Sequence, residues 1–299
     1  MNRYSSDLQS AFAQDEAPYE EAVKEAARKI LEKKTVKMVF ISGASCAGKT
    51  PTTKRLAHYL NTHGIKTELI SLDDFYRSPR NVIYHADGTP DYESPESLDL
   101  PLLHSCFSAL CDGKTVFMPH FIFKDKRRSD IYNKTVLDDD ELCIVEGLHA
   151  LNPDICGSYI APSKTFKIFL DAETAVDAEP RLLRRVVRDY YKRSSSAEQT
   201  LSMWNNVEAG SRKYIFPYKD DADVRINTYI PYERYVMRDD ALRMVSEVPE
   251  DSPYYAKAYE LKQKLLPLPS LPKEAISPHS FMREFITLAE PREAFLSSK

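Results

Sequence analysis

The segment Gly43-Ala44-Ser45-Cys46-Ala47-Gly48-Lys49-Thr50 constrains this chain more than any other, because it fills the pattern G-x-x-x-x-G-K-[ST] directly after the apolar run from Val36 to Ile41. Such a loop works between a strand and a helix. Residues 52–63 supply the helix: Leu56, Tyr59 and Leu60 recur at helical spacing, Gly64 offers a stop, and Pro51 fits the first turn, where its missing N–H goes unused. Gly43 and Gly48 let the backbone curl so that successive N–H groups point at a polyphosphate, and the helix N-terminus adds positive potential. Lys49 then reaches the outer phosphates and Thr50 offers its hydroxyl to Mg²⁺.

A chain of 299 residues suits one large α/β domain with an appendage. Net charge is −4 with acids and bases interspersed, which gives no general attraction to nucleic acid or to an anionic membrane. No apolar segment is long enough to span a bilayer, and the polar start lacks a signal-peptide core, so the expected location is the cytoplasm. The five cysteines are odd in number and contain no C-x-x-C pair, which argues for reduced thiols rather than a disulfide framework or a structural zinc site.

Residues 18–34 are rich in Ala, Glu, Lys and Arg, with Glu20 to Lys24 and Glu25 to Lys29 at i,i+4 spacing, and predict a solvent-facing helix. Beyond the loop, strands are expected at 67–71, 115–118, 121–123, 142–145, 165–170 and 222–227, and helices at 98–110, 174–192 and 198–212. Strands alternating with helices imply parallel pairing with helices on both faces. The expected fold is therefore α/β, a three-layer arrangement of the P-loop nucleoside triphosphate hydrolase type with a mostly parallel central sheet. After Tyr229 the texture changes to a helix at 254–265, four prolines, and a short apolar helix at 281–288. The expected division is an N-terminal helical extension (1–34), a core domain (35–229) and a C-terminal appendage that wraps the core (230–299).

Three clusters indicate what a bound nucleotide would meet. Asp73-Asp74-Phe75-Tyr76-Arg77 follows the second strand, and carboxylates there stand at the crevice where ligands bind in parallel sheets. One of them is placed to deprotonate an acceptor hydroxyl or hold Mg²⁺ through water, unless it serves as a turn cap. The apolar run from Leu142 to Val145 ends on Glu146, where nucleotide hydrolases and kinases keep the acid that holds Mg²⁺ or its water. Arg181, Arg184, Arg185, Arg188 and Lys192 fall along one helix face, a concentration of charge that suits phosphate oxygens or is balanced by Asp177, Glu179 and Asp189.

Together these segments resemble the uridine kinase branch of the uridine kinase and phosphoribulokinase family of P-loop kinases. The resemblance spans about residues 36–228 and rests on G-A-S-C-A-G-K-T, S-L-D-D-F-Y-R, D-Y-E-S-P-E-S-L-D, M-P-H-F-I-F, V-E-G-L-H-A-L, R-L-L-R-R-V-V-R-D and P-Y-K-D-D-A-D-V, in that order. The segments T-L-S-M-W-N-N-V-E-A-G, I-F-P-Y and S-F-M-R-E-F-I are similar to a bacterial subgroup in which this domain often follows a TGS domain; the stretch ahead of Val36 is too short for one. The resemblance implies a kinase that uses ATP and Mg²⁺, with Asp73 as catalytic base, Thr50, Glu146 and Asp73 at the metal, and Arg185 and Arg188 at the phosphates. Arg193 falls where the family has an arginine-bearing helical lid, whose second arginine is a serine here; lid closure would exclude water.

The same resemblance assigns the acceptor end to Tyr76, Glu93, Phe121, Phe123, Lys126, Arg185 and Met203, and here the sequence departs from the family. The acid that contacts ribose hydroxyls becomes Glu93, one methylene longer. An aromatic-plus-acid step becomes Phe121-Ile122, the histidine that reads the pyrimidine edge becomes Lys126, and a glutamine becomes Met203. Lys126, Arg127 and Arg128 even permit an acceptor that carries negative charge. The expected function is transfer of the γ-phosphoryl group to a hydroxyl of a uridine- or cytidine-like nucleoside or another small polyol, with no nucleic-acid or membrane partner and with a homo-oligomer allowed. The alternative is a nucleotide-binding regulatory module without acceptor chemistry. A GTPase is disfavoured, because Asn133-Lys134-Thr135-Val136 lacks the acid of N-K-x-D.

Overall fold

A computed structural model describes residues 4, 7–77, 84, 91–122, 127–138, 140–157, 159–175 and 179–288. Along the chain the elements are α1 (Leu8–Glu32), β1 (Met38–Gly43), α2 (Lys49–Thr62), β2 (Lys66–Ser71), α3 (Leu100–Cys111), β3 (Val116–Met118), β4 (Phe121–Ile122), β5 (Arg127–Arg128), β6 (Asn133–Thr135) and β7 (Glu141–Glu146). Then follow α4 (Pro153–Cys156), β8 (Thr165–Asp171), α5 (Pro180–Arg193), α6 (Ala197–Tyr214), β9 (Val224–Asn227), α7 (Glu233–Val236), α8 (Arg238–Ser246) and α9 (Tyr255–Leu265). The chain forms two compact units, one of residues 20–171 and 206–228, the other of residues 1–19, 172–205 and 229–299.

The first unit holds a five-stranded parallel sheet in the order β2-β7-β1-β8-β9. Its middle strands carry near-continuous apolar runs because both faces are covered: all six residues of β1 are buried, as are Leu142 to Val145 of β7. Parallel register brings the strand ends to one edge, with Ser71 opposite Glu146 and Gly43 opposite Leu170. A Cβ at position 43 would lie 2.6 Å from the Leu170 carbonyl oxygen, so the close approach of β8 requires glycine at this strand end. Two small antiparallel pairs, β3 with β6 and β4 with β5, complete this unit's strands.

α1 departs from expectation. It begins at Leu8, and Tyr19, Val23, Ala26, Ala27 and Ile30 form a buried stripe at helical spacing rather than a solvated surface. Glu20 pairs with Arg55 at 3.0 Å and accepts from the Tyr59 hydroxyl at 2.9 Å, while Arg28 holds Glu21 and Glu25, so the expected Glu20–Lys24 and Glu25–Lys29 partnerships give way to others. α5 is also shorter than 174–192. Pro180 opens it, because proline cannot sit inside a helix without removing a backbone bond.

In the second unit Arg184 is fully buried and donates to Glu233 Oε2 from Nε at 3.2 Å and Nη2 at 2.6 Å. Its guanidinium lies 5.2 Å and 5.0 Å from the ring centroids of Phe281 and Phe285. Burial pushes the Glu233 carboxyl up, and the guanidinium and the Ile230 N–H pull it back. The tail that supplies these rings is a single 3₁₀ turn, Phe281–Glu284, and not the expected helix over 281–288. Ser280 caps that turn and also donates to Glu16, which accepts the Tyr232 hydroxyl as well. Among the described residues no helix is long and apolar enough to cross a membrane, and the five cysteines are free thiols.

Candidate active site

The phosphate loop is closed by its own backbone and anchored by Thr52 of α2 and by Thr228, the residue after β9. The Ala47 N–H donates to the Ala44 carbonyl at 3.0 Å, and Thr52 Oγ1 and Thr228 Oγ1 donate to the Gly48 and Ala47 carbonyls at 2.7 Å and 2.8 Å. Gly48 takes φ of 86° and Cys46 of 63°. For a cysteine that conformation is strained by about 1 kcal/mol, and strain of this kind collects where surrounding structure enforces a functional backbone shape. Lys49 Nζ donates to the Gly43 and Ala44 carbonyls at 2.8 Å and 3.3 Å, which parks its charge directly over the loop.

At the same sheet edge Glu146, the last residue of β7, accepts from Ser71 Oγ at 3.1 Å and from Thr50 Oγ1 at 3.5 Å. Burial and the nearby charge of Asp73 push its carboxyl up to about 7, against Lys49 and the two hydroxyls, which hold it down. Lys49, Thr50, Asp73 and Glu146 therefore share one electrostatic neighbourhood. Ser71 escaped the sequence reading. It also receives the Asp73 N–H at 3.4 Å, a helix-cap contact signalled by a serine directly before Leu72-Asp73-Asp74.

The two adjacent acids have different duties. Asp74 Oδ1 accepts the Phe121 N–H at 3.0 Å and lies 3.0 Å from His120 Nδ1, so it holds the β4 strand in place. Tyr76 is buried, its hydroxyl donates to the Tyr92 carbonyl at 3.0 Å, and its ring lies within 6 Å of those of Tyr92 and Phe121. Burial drives its hydroxyl pKa far above the usual tyrosine range. Tyr76 and Phe121 are thus gathered, and the charge of Glu93 is felt at the Tyr76 hydroxyl. Within the basic run, Arg128 donates to the Phe75 and Tyr76 carbonyls and pairs with Asp99 at 2.9 Å, which corrects its reading as a contact for a charged acceptor. Phe123, Lys126 and Asp177 lie outside the described residues.

The second unit contains Arg185, Arg188, Arg193 and Met203. One buried carboxylate gathers the three arginines: Asp189 Oδ1 accepts from Arg188 at 2.8 Å and 2.6 Å and lies 3.6 Å from Arg193, and its Oδ2 lies 3.4 Å from Arg185. The expected single basic face is therefore divided. Arg184 goes to Glu233, Lys192 donates to the Arg283 and Glu284 carbonyls, Arg181 stacks on Trp204, and Glu179 binds Lys257 and Lys264. Met203 is largely exposed.

A phosphate loop after the central strand of a parallel sheet, with one acid at the end of the adjacent strand β7 and another just after β2, the strand beyond it, is the arrangement of P-loop phosphotransferases. The chain belongs to the phosphoribulokinase / uridine kinase family, whose pattern matches residues 38–232. A uridine kinase from Deinococcus deserti is 29% identical over 190 residues, which span 63% of this chain and 86% of that one. One from Staphylococcus haemolyticus is 28% identical over 193 residues, with the same shares. Among solved structures, one described as a possible uridine kinase from Bacillus stearothermophilus aligns with a TM-score of 0.50 at 19% identity, covering 69% of this chain and 98% of that one. D-glycerate 3-kinase from Cryptococcus neoformans aligns with a TM-score of 0.50 at 16% identity, covering 66% and 89%. At those identities the structural likeness speaks for the fold. Family membership and the curated relatives make the chain a phosphotransferase acting on a hydroxyl acceptor.

Proposed function

We propose that this chain is an ATP- and Mg²⁺-dependent kinase that transfers the γ-phosphoryl group to a hydroxyl of a nucleoside or another small polyol. The observation that carries this reading is the meeting of Thr50 and Glu146 beside the loop lysine, with the charge of Asp73 felt at Glu146. Loop N–H groups from Gly43 to Thr50 receive the phosphates, and Lys49 exchanges the loop carbonyls for the outer phosphate oxygens. Asp73 takes the proton of the acceptor hydroxyl while its oxygen bonds the γ-phosphorus, the bridging P–O bond breaks and ADP leaves. To Arg185, Arg188 and Arg193, gathered by Asp189, we assign the binding of phosphate oxygens, which guanidinium groups suit.

The oxygens of Thr50, Glu146 and Asp73 are hard donors that suit Mg²⁺, which takes few protein ligands and keeps water and phosphate oxygens. Bound there, Mg²⁺ would neutralise charge on the outer phosphates.

Glu93 accepts hydrogen bonds from acceptor hydroxyls, with Tyr76, which feels its charge, and the Phe121 ring that packs on Tyr76. Replacement of the pyrimidine-reading groups favours an acceptor class wider than uridine and cytidine, because buried hydrogen-bonding groups are what separate similar substrates. A coupled ADP-release assay over uridine, cytidine, ribose and inositols, with a no-acceptor control, tests the proposal. Release that depends on one of these acceptors is expected; release unaffected by every one of them, or none, would favour the regulatory module.

A further inference from the structure

Glycine is a poor helix former, yet Gly210 lies inside α6. The space its missing side chain leaves is filled by Glu93: a Cβ at position 210 would lie 2.5 Å from Glu93 Cβ and 3.1 Å from its Cγ. The backbone on either side of Glu93 is pinned as well, since Asp91 Oδ1 accepts the N–H groups of Glu93 and Ser94 at 3.0 Å each. Glu93 therefore lies flat against the helix backbone, in a position only a glycine admits.

His149 presses on the same segment. It is 3% exposed, and neither ring nitrogen makes a hydrogen bond of ordinary geometry among the described residues. The backbones of Glu93 and Tyr214 approach those nitrogens, and the Tyr214 ring stands edge-on with centroids 6.2 Å apart. Tyr214 is one helical turn beyond Gly210, so both belong to the same side of α6. A neutral imidazole has one donor and one bare nitrogen, which equips it to tether such a segment once contacts tighten around a bound acceptor.

We propose that Gly210 and His149 are positioning residues that set where Glu93 presents its carboxylate, and so which acceptor hydroxyls the enzyme takes. The proposal rests on the reading of Glu93 as the acid that receives acceptor hydroxyls. With alanine at position 210 the Glu93 side chain must retreat by about 0.9 Å to restore an ordinary 3.4 Å contact. A displacement of that size at a substrate-positioning group is worth about a hundredfold in rate.

The test is steady-state kinetics with whichever of uridine, cytidine, ribose or inositol the wild type phosphorylates, alongside thermal melting. Gly210→Ala is expected to lower kcat/KM for the acceptor by about ten- to a hundredfold while leaving the KM for ATP unchanged. His149→Leu should raise the acceptor KM in the same selective way, and His149→Asn, which keeps a donor and an acceptor, should recover part of the loss. If Glu93→Gln leaves acceptor kinetics intact, the assignment of Glu93 fails. If Glu93→Gln is damaging but Gly210→Ala and His149→Leu are silent, the positioning proposal fails.

The packing itself is tested without any acceptor. Gly210→Ala should lower the Tm of the wild type, yet raise by about 2 °C that of Glu93→Gly, in which the helix gains from alanine without the clash. An equal rise in both backgrounds would overturn the proposal.

Discussion

Asp74 accepts the backbone N–H of Phe121 at 3.0 Å across forty-seven positions of chain, which commits the second of two adjacent acids to holding a strand. Of the two acids, the one whose charge bears on Glu146 is Asp73. Asp73→Asn is accordingly expected to lower kcat by at least about a hundredfold with nucleotide affinity nearly unchanged, because a positioned base contributes to the chemical step more than to ground-state binding. Asp74→Ala should instead lower stability by about 1–2 kcal/mol through the lost bond to a buried strand end. Nucleotide titration, turnover and urea denaturation on the two variants separate these duties; interchanged effects would move the base by one residue.

Lys49→Ala removes the point charge now held on the Gly43 and Ala44 carbonyls. Contacts of this class are worth several kcal/mol in the transition state, so turnover should fall by at least about a hundredfold. Wild-type ADP release from this variant would exclude the loop as the phosphate site.

Arg184 and Glu233 form an ion pair with side-chain exposures of 0% and 1%. Removing one member strands the other charge, and Arg184→Met or Glu233→Gln should each lower stability by about 3–5 kcal/mol. The double variant Arg184→Met/Glu233→Leu should regain most of that, as apolar replacements of buried pairs often do. A double variant no more stable than either single one would show that the pair's geometry matters beyond its charge.

His149 makes stability depend on pH. Burial and the charge of Lys49 push its ring down from 6.5 to about 4, so as pH falls through that window the unfolded chain takes a proton that the folded one refuses. Its contribution is therefore lost on acidification, by up to about 3 kcal/mol at pH 4. Glu146 acts in the opposite sense: with a carboxyl raised to about 7, the folded chain keeps a proton that the unfolded one releases, and stability falls as pH rises from about 4.5 to 7. The two partly cancel in the wild type. The comparison of His149→Leu with wild type isolates the first, and the variant's relative stability should climb by about 3 kcal/mol between pH 7 and pH 4 in urea denaturation. A constant difference would mean that the ring titrates alike folded and unfolded.

The strand–loop–helix of residues 38–62 and the acid at the end of β7 were legible in the sequence because short-range rules govern them: a glycine pattern needs its flanking elements, and an apolar run that stops at Glu146 marks a strand end. The stripe of Tyr19, Val23, Ala26, Ala27 and Ile30 was hidden by the many charges between its members. The partition of the α5 arginines was legible only in part: Asp189 stood among the acids that could balance them, but Glu233 did not. Spacing puts Arg184 and Arg188 on neighbouring positions, but their fates are decided by Glu233, Phe281 and Phe285 for one and by Asp189 for the other. Ser71 and His149 stood inside quoted motifs, yet their partners or neighbours, Glu146, Glu93 and Tyr214, come from segments that no local pattern brings together.

The strand order also bears on how this chain reaches its fold. Met38 of β1 pairs with Cys143 on one side and Thr165 on the other, so both neighbours of the central strand lie more than a hundred residues away along the chain. Pairings this remote form late, because long segments must be brought together before the contacts reward them, and folding of such sheets is slow. During that interval Met38-Val39-Phe40-Ile41 is an apolar, strand-forming run with no partner on either edge. The strand that delivers the phosphate loop is thereby open to aggregation until β7 and β8 arrive.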